Sequence, residues 1–197
     1  DEYRRTARIA SARNQVLEKI REEYPEIDYV VMADLDGVNR DLTSKAVRSC
    51  WELSNWDVLS ANQPLRYYDI WALRSKGWVE SDCWTEFEAL KEKYSIKKSR
   101  SMAVTSKMRS IRRTNDPIPV QSAFGGLAIY TREAFIAGSY RGLDSAGNEI
   151  CEHVPFHNDL IAKGYKLYIN PRLVNLNEIS QLGNLFKELI IKLRSNR

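Results

Sequence analysis

Tyr29-Val30-Val31-Met32-Ala33, followed at once by Asp34-Leu35-Asp36-Gly37, is the stretch on which the fold turns. Five apolar residues, two of them β-branched, stand between Asp28 and Asp34. A short run apolar on both faces reads as a strand buried within a parallel sheet. It stops abruptly at two carboxylates. Residues i and i+2 of an extended chain point to one side, so Asp34 and Asp36 project together where the strand ends. In open α/β sheets that edge is where ligands bind. Two carboxylates side by side repel unless a cation sits between them. Mg²⁺ or Mn²⁺ suits such oxygen ligands and fills its shell with phosphate oxygens. Taken alone, the pattern is common and more often that of a solvated turn.

Outward from this strand, helical and extended patterns alternate. Residues 5–23 carry Ile9, Val16 and Ile20 at helical spacing, with Ala12 between, and Pro25 ends the run. A second helix is expected over 43–53 and a strand over 58–62. Residues 63–84 are aromatic-rich, and 85–94 reads as helical. A loop at 122–126 leads into a strand ending at Tyr130, with a helix at 131–137. Gly138 to Gly147 is rich in turns. Pro155 suits the first turn of a helix running to Ala162, which Gly164 ends. His153 is expected to precede that helix. Residues 165–169 form a last strand, and 178–193 an amphipathic helix. The expected class is α/β: a mixed, mainly parallel sheet flanked by helices. The expected organisation is one domain over 1–177 with the amphipathic helix over 178–197 appended.

Composition excludes several classes. With 197 residues, 43% hydrophobic and 28% charged, the chain fits a globular domain and not a disordered one. The net charge of +4 argues against a nucleic-acid-binding arm but allows a phosphorylated ligand. No apolar run approaches the roughly 20 residues that span a bilayer. Cys50, Cys83 and Cys151 are scattered, as expected for reduced thiols, and with the charged opening this points to a cytoplasmic protein. From Ser95 to Asn115 there are seven bases and no acid, either a solvated face or a segment that meets an anionic ligand.

Four segments together carry a resemblance: Arg8-Ile9-Ala10 with Ala12-Arg13-Asn14 ahead of the Asp-x-Asp strand, Tyr67-Tyr68-Asp69-Ile70-Trp71-Ala72-Leu73, Ser122-Ala123-Phe124-Gly125-Gly126, and Cys151-Glu152-His153. Over residues 4 to about 175 the chain resembles glycosyltransferases of the nucleotide-sugar-binding A-type fold. It looks most like the catalytic domain of large-DNA-virus capsid glycosyltransferases and their bacterial relatives. In that fold a strand, a helix and a further strand precede the Ala-Arg-Asn helix, so the resemblance implies a domain lacking its first βαβ portion.

The resemblance implies metal-dependent transfer of a sugar from a nucleotide-diphosphate donor to a glycan, lipid-linked or protein-linked hydroxyl acceptor. Nucleic acid is not an expected partner. Asp36 would ligate Mn²⁺ or Mg²⁺, and Asp34 would contact the donor, the metal or both. Arg8 and Arg13 would meet phosphate or a donor hydroxyl through the guanidinium fork. Tyr68, Asp69, Trp71 and Arg74 offer flat faces, a carboxylate and a guanidinium to the donor sugar. An Asp69–Arg74 structural ion pair is the plainer alternative. Phe124, Gly125 and Gly126 would shape the donor pocket, glycine letting the backbone approach a ligand. Glu152 is the expected base that deprotonates the acceptor hydroxyl, which implies inversion, although His153 beside it competes for the assignment and could instead bind metal or phosphate. The helix over 178–193 could rest on a membrane surface. A non-catalytic carbohydrate-binding module, or another metal-dependent nucleotide-using transferase, would share some of these features.

Overall fold

The computed structural model describes residues 4–183. Its elements are α1 (Arg5–Glu23), β1 (Tyr29–Ala33), α2 (Ser44–Arg48), β2 (Val58–Asn62), α3 (Cys83–Lys91), α4 (Ile96–Ala103), β3 (Ile118–Pro119), β4 (Leu127–Thr131), α5 (Arg132–Ala137), α6 (His153–Ala162) and β5 (Leu167–Val174). Residues 178–183 are helical as well. The rest of the helix expected over 178–193 lies outside the described residues.

The five strands form one sheet in the order β1-β4-β2-β5-β3. The chain is thus α/β with a mixed sheet flanked by helices. The expectation of mainly parallel pairing is corrected. Only β2 and β5 pair in parallel, while β1–β4, β2–β4 and β3–β5 are antiparallel. The reason is the place of β4. It inserts in reverse between β1 and β2, which therefore run the same way without touching.

That insertion also explains β4's sequence. Ala128 and Tyr130 join the larger core cluster, with Leu17 of α1, Phe135 of α5 and Phe156 of α6. Leu127 and Ile129 point the other way, into a smaller cluster with Cys50, Leu59 and Leu173. Both faces are covered, so both parities are apolar. The expectation of a buried parallel strand for the run in β1 is corrected: it is an edge strand, antiparallel to β4, and Val31 stays 55% exposed.

The inward stripe of α1 differs from the expected one. Thr6, Ala10 and Leu17 are buried, whereas Val16 is 46% exposed and Ala12 is exposed. The stripe in the structure puts Arg13 and Asn14 on the inner side, between Ala10 and Leu17. Asn14 clamps the backbone of Tyr140 from both sides, donating to its carbonyl at 2.9 Å and accepting from its N–H at 2.8 Å. Burying these two polar side chains with partners fixes the rotation of the helix more firmly than one valine can.

Three other boundaries move. The helix expected over 43–53 is one turn long, capped by the Thr43 hydroxyl, and turns follow it. The basic stretch contains α4, capped by Ser95. β5 runs to Val174, well past residue 169. Cys50, Cys83 and Cys151 are free and buried, and among the described residues no helix is long and apolar enough to cross a membrane.

α6 is anchored by Phe156, fully buried, with its ring stacked on Tyr140 at 4.0 Å and edge-on to Phe135. Phe156→Ala is expected to cost about 3–5 kcal/mol of stability, measured by urea unfolding.

Candidate functional site

Three chain segments converge on one guanidinium. Arg13 comes from α1, Asp34 from the end of β1, and Glu152 from the residue that caps α6. Arg13 Nη2 lies 3.2 Å from Asp34 Oδ1, and Nη1 lies 2.9 Å from Glu152 Oε1. Nη1 also donates to the His153 ring. The guanidinium stands over the Phe124 ring at 5.0 Å and the Tyr140 ring at 5.7 Å. Planar Arg suits such a site because it bridges carboxylates while stacking on aromatic faces.

The floor is aromatic and neutral. His153 stacks on Phe124 with ring centroids 3.8 Å apart, and on His157 at 5.7 Å. Their separation of four residues puts both rings on one face of α6. His157 Nδ1 bonds Ser122 Oγ at 2.9 Å, and its Nε2 bonds the Tyr130 hydroxyl at 3.0 Å. Burial first, then the Arg13 charge, holds both imidazoles neutral: His153 is well below the ordinary histidine range and His157 is held down to about 3. His153 is the first residue of α6 and does not precede it. Buried and already bonded to Arg13, it is not presented to a metal or a phosphate.

The rim is acidic. Asp34 is raised above its ordinary value, mainly by burial, with Arg13 opposing and Asp36 and Glu152 adding to the rise. Asp69 is pushed up to about 6 by burial, against hydrogen bonds from the Gly125 and Ala72 N–H groups, and Asp34 and Glu152 raise it further. Asp36 is exposed, with one carboxylate oxygen accepting from Val38 N–H at 3.1 Å. Tyr68 is 37% exposed. Its hydroxyl is kept protonated by burial and by Asp69, Asp34 and Asp36. Asp34 thus feels Asp36 and Glu152 against Arg13 and Arg5, and Asp69 feels Asp34 and Glu152.

This donor set fits a hard divalent cation on chemical grounds. The atoms offered are carboxylate oxygens, and their mutual repulsion adds to the burial that raises Asp34 and Asp69. Among the described residues no group of three or more His, Cys, Asp or Glu side chains is grouped to hold a metal. Asp34 and Asp36 would by themselves fill only part of such a cation's shell.

The Gly125-Gly126 loop forms the wall beside Asp34. Both glycines have left-handed φ, +67° and +83°. A Cβ on Gly125 would lie 2.6 Å from the Ala61 carbonyl, and one on Gly126 would lie 2.5 Å from Val38. Only glycine fits. Side-chain amides hold the loop. Gln63 and Asn175 both donate to the Gly125 carbonyl at 2.9 Å, and Asn39 donates to the carbonyls of Asp34 and Gly126. Sequence reading missed Asn39, Gln63 and Asn175, because single amides far apart in the chain form no pattern.

Other expected residues lie elsewhere or act differently. Arg8 is exposed on α1. Arg74 pairs with Asp82 at 3.1 Å, which replaces the expected pairing with Asp69. The Trp71 indole N–H donates to the same Asp82 carboxylate, whose other oxygen caps α3. Trp71 and Arg74 therefore secure the start of α3. The Phe124 side chain is buried beneath Arg13 and His153, so it supports the site without facing solvent. No protein-family model matches the chain, and no curated protein matches it.

The titrations give opposite signs. Each histidine binds a proton when unfolded below about pH 6.5 but not when folded, so each removes stability as pH falls. Asp69 is the reverse. Its folded carboxyl is raised to about 6, so it adds stability as pH falls through that value and is fully protonated below its unfolded range. Asp69→Asn is expected to steepen the loss of stability between about pH 6.5 and 4, read from chemical denaturation at each pH.

Proposed function

We propose that the chain is a metal-dependent glycosyltransferase domain of the A-type fold, moving a sugar from a nucleotide-diphosphate donor to a hydroxyl acceptor. The observation that carries the reading is the acidic rim around Arg13, with the Asp-x-Asp pair at a strand end and Glu152 on the opposite side of the guanidinium. The mixed five-stranded sheet is compatible with that fold.

In this reading Asp36 and Asp34 hold Mn²⁺ or Mg²⁺, which when bound supplies Lewis-acid neutralisation of the donor diphosphate. Arg13 keeps Asp34 and Glu152 at fixed separation and has its nitrogens occupied by them, so its role is positioning more than phosphate binding. Gly125 and Gly126 let the donor sugar approach the backbone. The acceptor hydroxyl loses its proton to a carboxylate as its oxygen bonds to the anomeric carbon. The anomeric C–O bond to the diphosphate breaks on the far face, and the nucleoside diphosphate leaves with that electron pair. Glu152 is the first choice of base. Asp69 is the second, favoured by a carboxyl raised to about 6, near working pH, and by greater exposure.

Asp36→Asn is expected to abolish both sugar transfer and Mn²⁺-dependent nucleoside diphosphate binding with the fold intact, checked by calorimetry and circular dichroism. Glu152→Gln is expected to lower kcat by about 10²–10⁴-fold with donor binding retained, if Glu152 is the base. Retention of full activity by Asp36→Asn would reject the reading, and sugar binding indifferent to chelator would favour a non-catalytic carbohydrate-binding module.

A further inference from the structure

Away from the acidic rim, a second cleft of about 670 Å³ is bordered by four cationic side chains: Arg40, Lys45, Arg113 and Arg172. They come from the loop after the Asp-x-Asp pair, from α2, from the acid-free basic stretch and from β5. Two carboxylates share the lining, Asp41 and Glu52. Both are engaged. Asp41 accepts the Asn177 N–H at 3.0 Å, and that bond, with a further one from Ser180, holds its carboxyl below the ordinary range. Glu52 pairs with Arg172. Arg40 lies 3.9 Å from Asp41 and donates to the Ser180 carbonyl at 3.1 Å. The side chains of Lys45 and Arg113 make no hydrogen bond or ion pair among the described residues.

Among the described residues that line it, four cations stand against two acids, an excess of two positive charges around one concavity. The chain as a whole carries only +4 over 197 residues, so this excess is concentrated. Charge of one sign lining a cleft focuses its field into the cleft. The basic stretch is divided by the fold. Lys107 pairs with Glu86, Arg109 lies over Trp78 and Lys98 over Tyr94, all spent on local packing. Arg113 is the member delivered to this cleft.

We infer that the cleft bounded by Arg40, Lys45, Arg113 and Arg172 binds a phosphate-bearing group, a phosphomonoester or diphosphate, separately from the acidic rim. The Arg113 fork and the Lys45 ammonium, brought together from different elements and flanked by the paired Arg40 and Arg172, suit a compact tetrahedral oxyanion, because a guanidinium bonds its oxygens in pairs while the ammonium adds a point charge. The acidic rim needs a metal to accept an anion; this cleft does not. The inference stands whether or not the rim binds a nucleotide sugar. Under the transferase reading, it assigns the phosphate to the acceptor.

The test is calorimetric titration of the full chain with sodium pyrophosphate in excess chelator, so that no divalent cation contributes. Saturable binding is expected, weakening with added salt and falling at least about tenfold in the Lys45→Glu/Arg113→Glu variant. Arg113→Gln alone, a milder change at an exposed position, is expected to give an intermediate loss. Asp36→Asn is expected to leave this binding within about twofold, which separates it from failure of the acidic rim. No saturable binding, or unchanged affinity in a folded double variant, overturns the inference. Flotation with phosphatidic acid vesicles, against phosphatidylcholine alone, then tells the source. Retention lost in the double variant assigns a lipid headgroup, and pyrophosphate binding without retention assigns a soluble phosphate ester.

Discussion

The Arg13 guanidinium, bonded to Asp34 on one side and Glu152 on the other, is the interaction on which the rest of the site depends. It ties a helix, a strand end and a helix start that are up to 140 residues apart in sequence. Its side chain and that of Glu152 are only 14% and 8% exposed, so neither charge has much water to fall back on. Breaking such a pair by deleting one partner costs more than the pair contributes, because the other charge is stranded. The inward rotation of α1 and the paired roles of Arg13 and Asn14 follow from this.

Around that cation the protein separates its charges by environment. Below it the imidazoles are buried and neutral, carrying hydrogen bonds without carrying charge. Beside it the acids are crowded and raised, and Arg13 does not balance them. Burial raises these carboxyls first, and their neighbours' charges raise them further. The Gly-Gly loop supplies the complementary feature, a backbone wall held by three amides where side chains cannot fit.

The two clefts have opposite chemistry and are joined by a short loop. Asp34 and Asp36 begin it, Asn39 ties it back to the Gly126 carbonyl, and Arg40 and Asp41 carry it into the basic cleft. Asn175 bonds the Asn39 side chain at 2.7 Å, and its carbonyl accepts from the Asp41 N–H at 3.3 Å. One hydrogen-bonded loop thus borders both an acidic and a basic surface.

The sequence by itself determined most of the elements, though not α4 or β3, and the acidic end of β1. Apolar periodicity, capping residues and the Asp-x-Asp pair are local, and local spacing is enough to place them. It also brought Arg13, Asp34, Phe124, Gly125, Gly126 and Glu152 into one list through motifs. Tertiary structure alone decided the rest. Strand direction depends on where the reverse strand β4 inserts, which no five-residue window records. An apolar strand reads the same whether both faces are buried, as in β4, or it lies at an edge, as in β1. Partner choice was equally hidden. Arg74 took Asp82 over Asp69, and Arg13 took Asp34 and Glu152, because a buried charge is settled by whichever opposite charge the fold brings within reach.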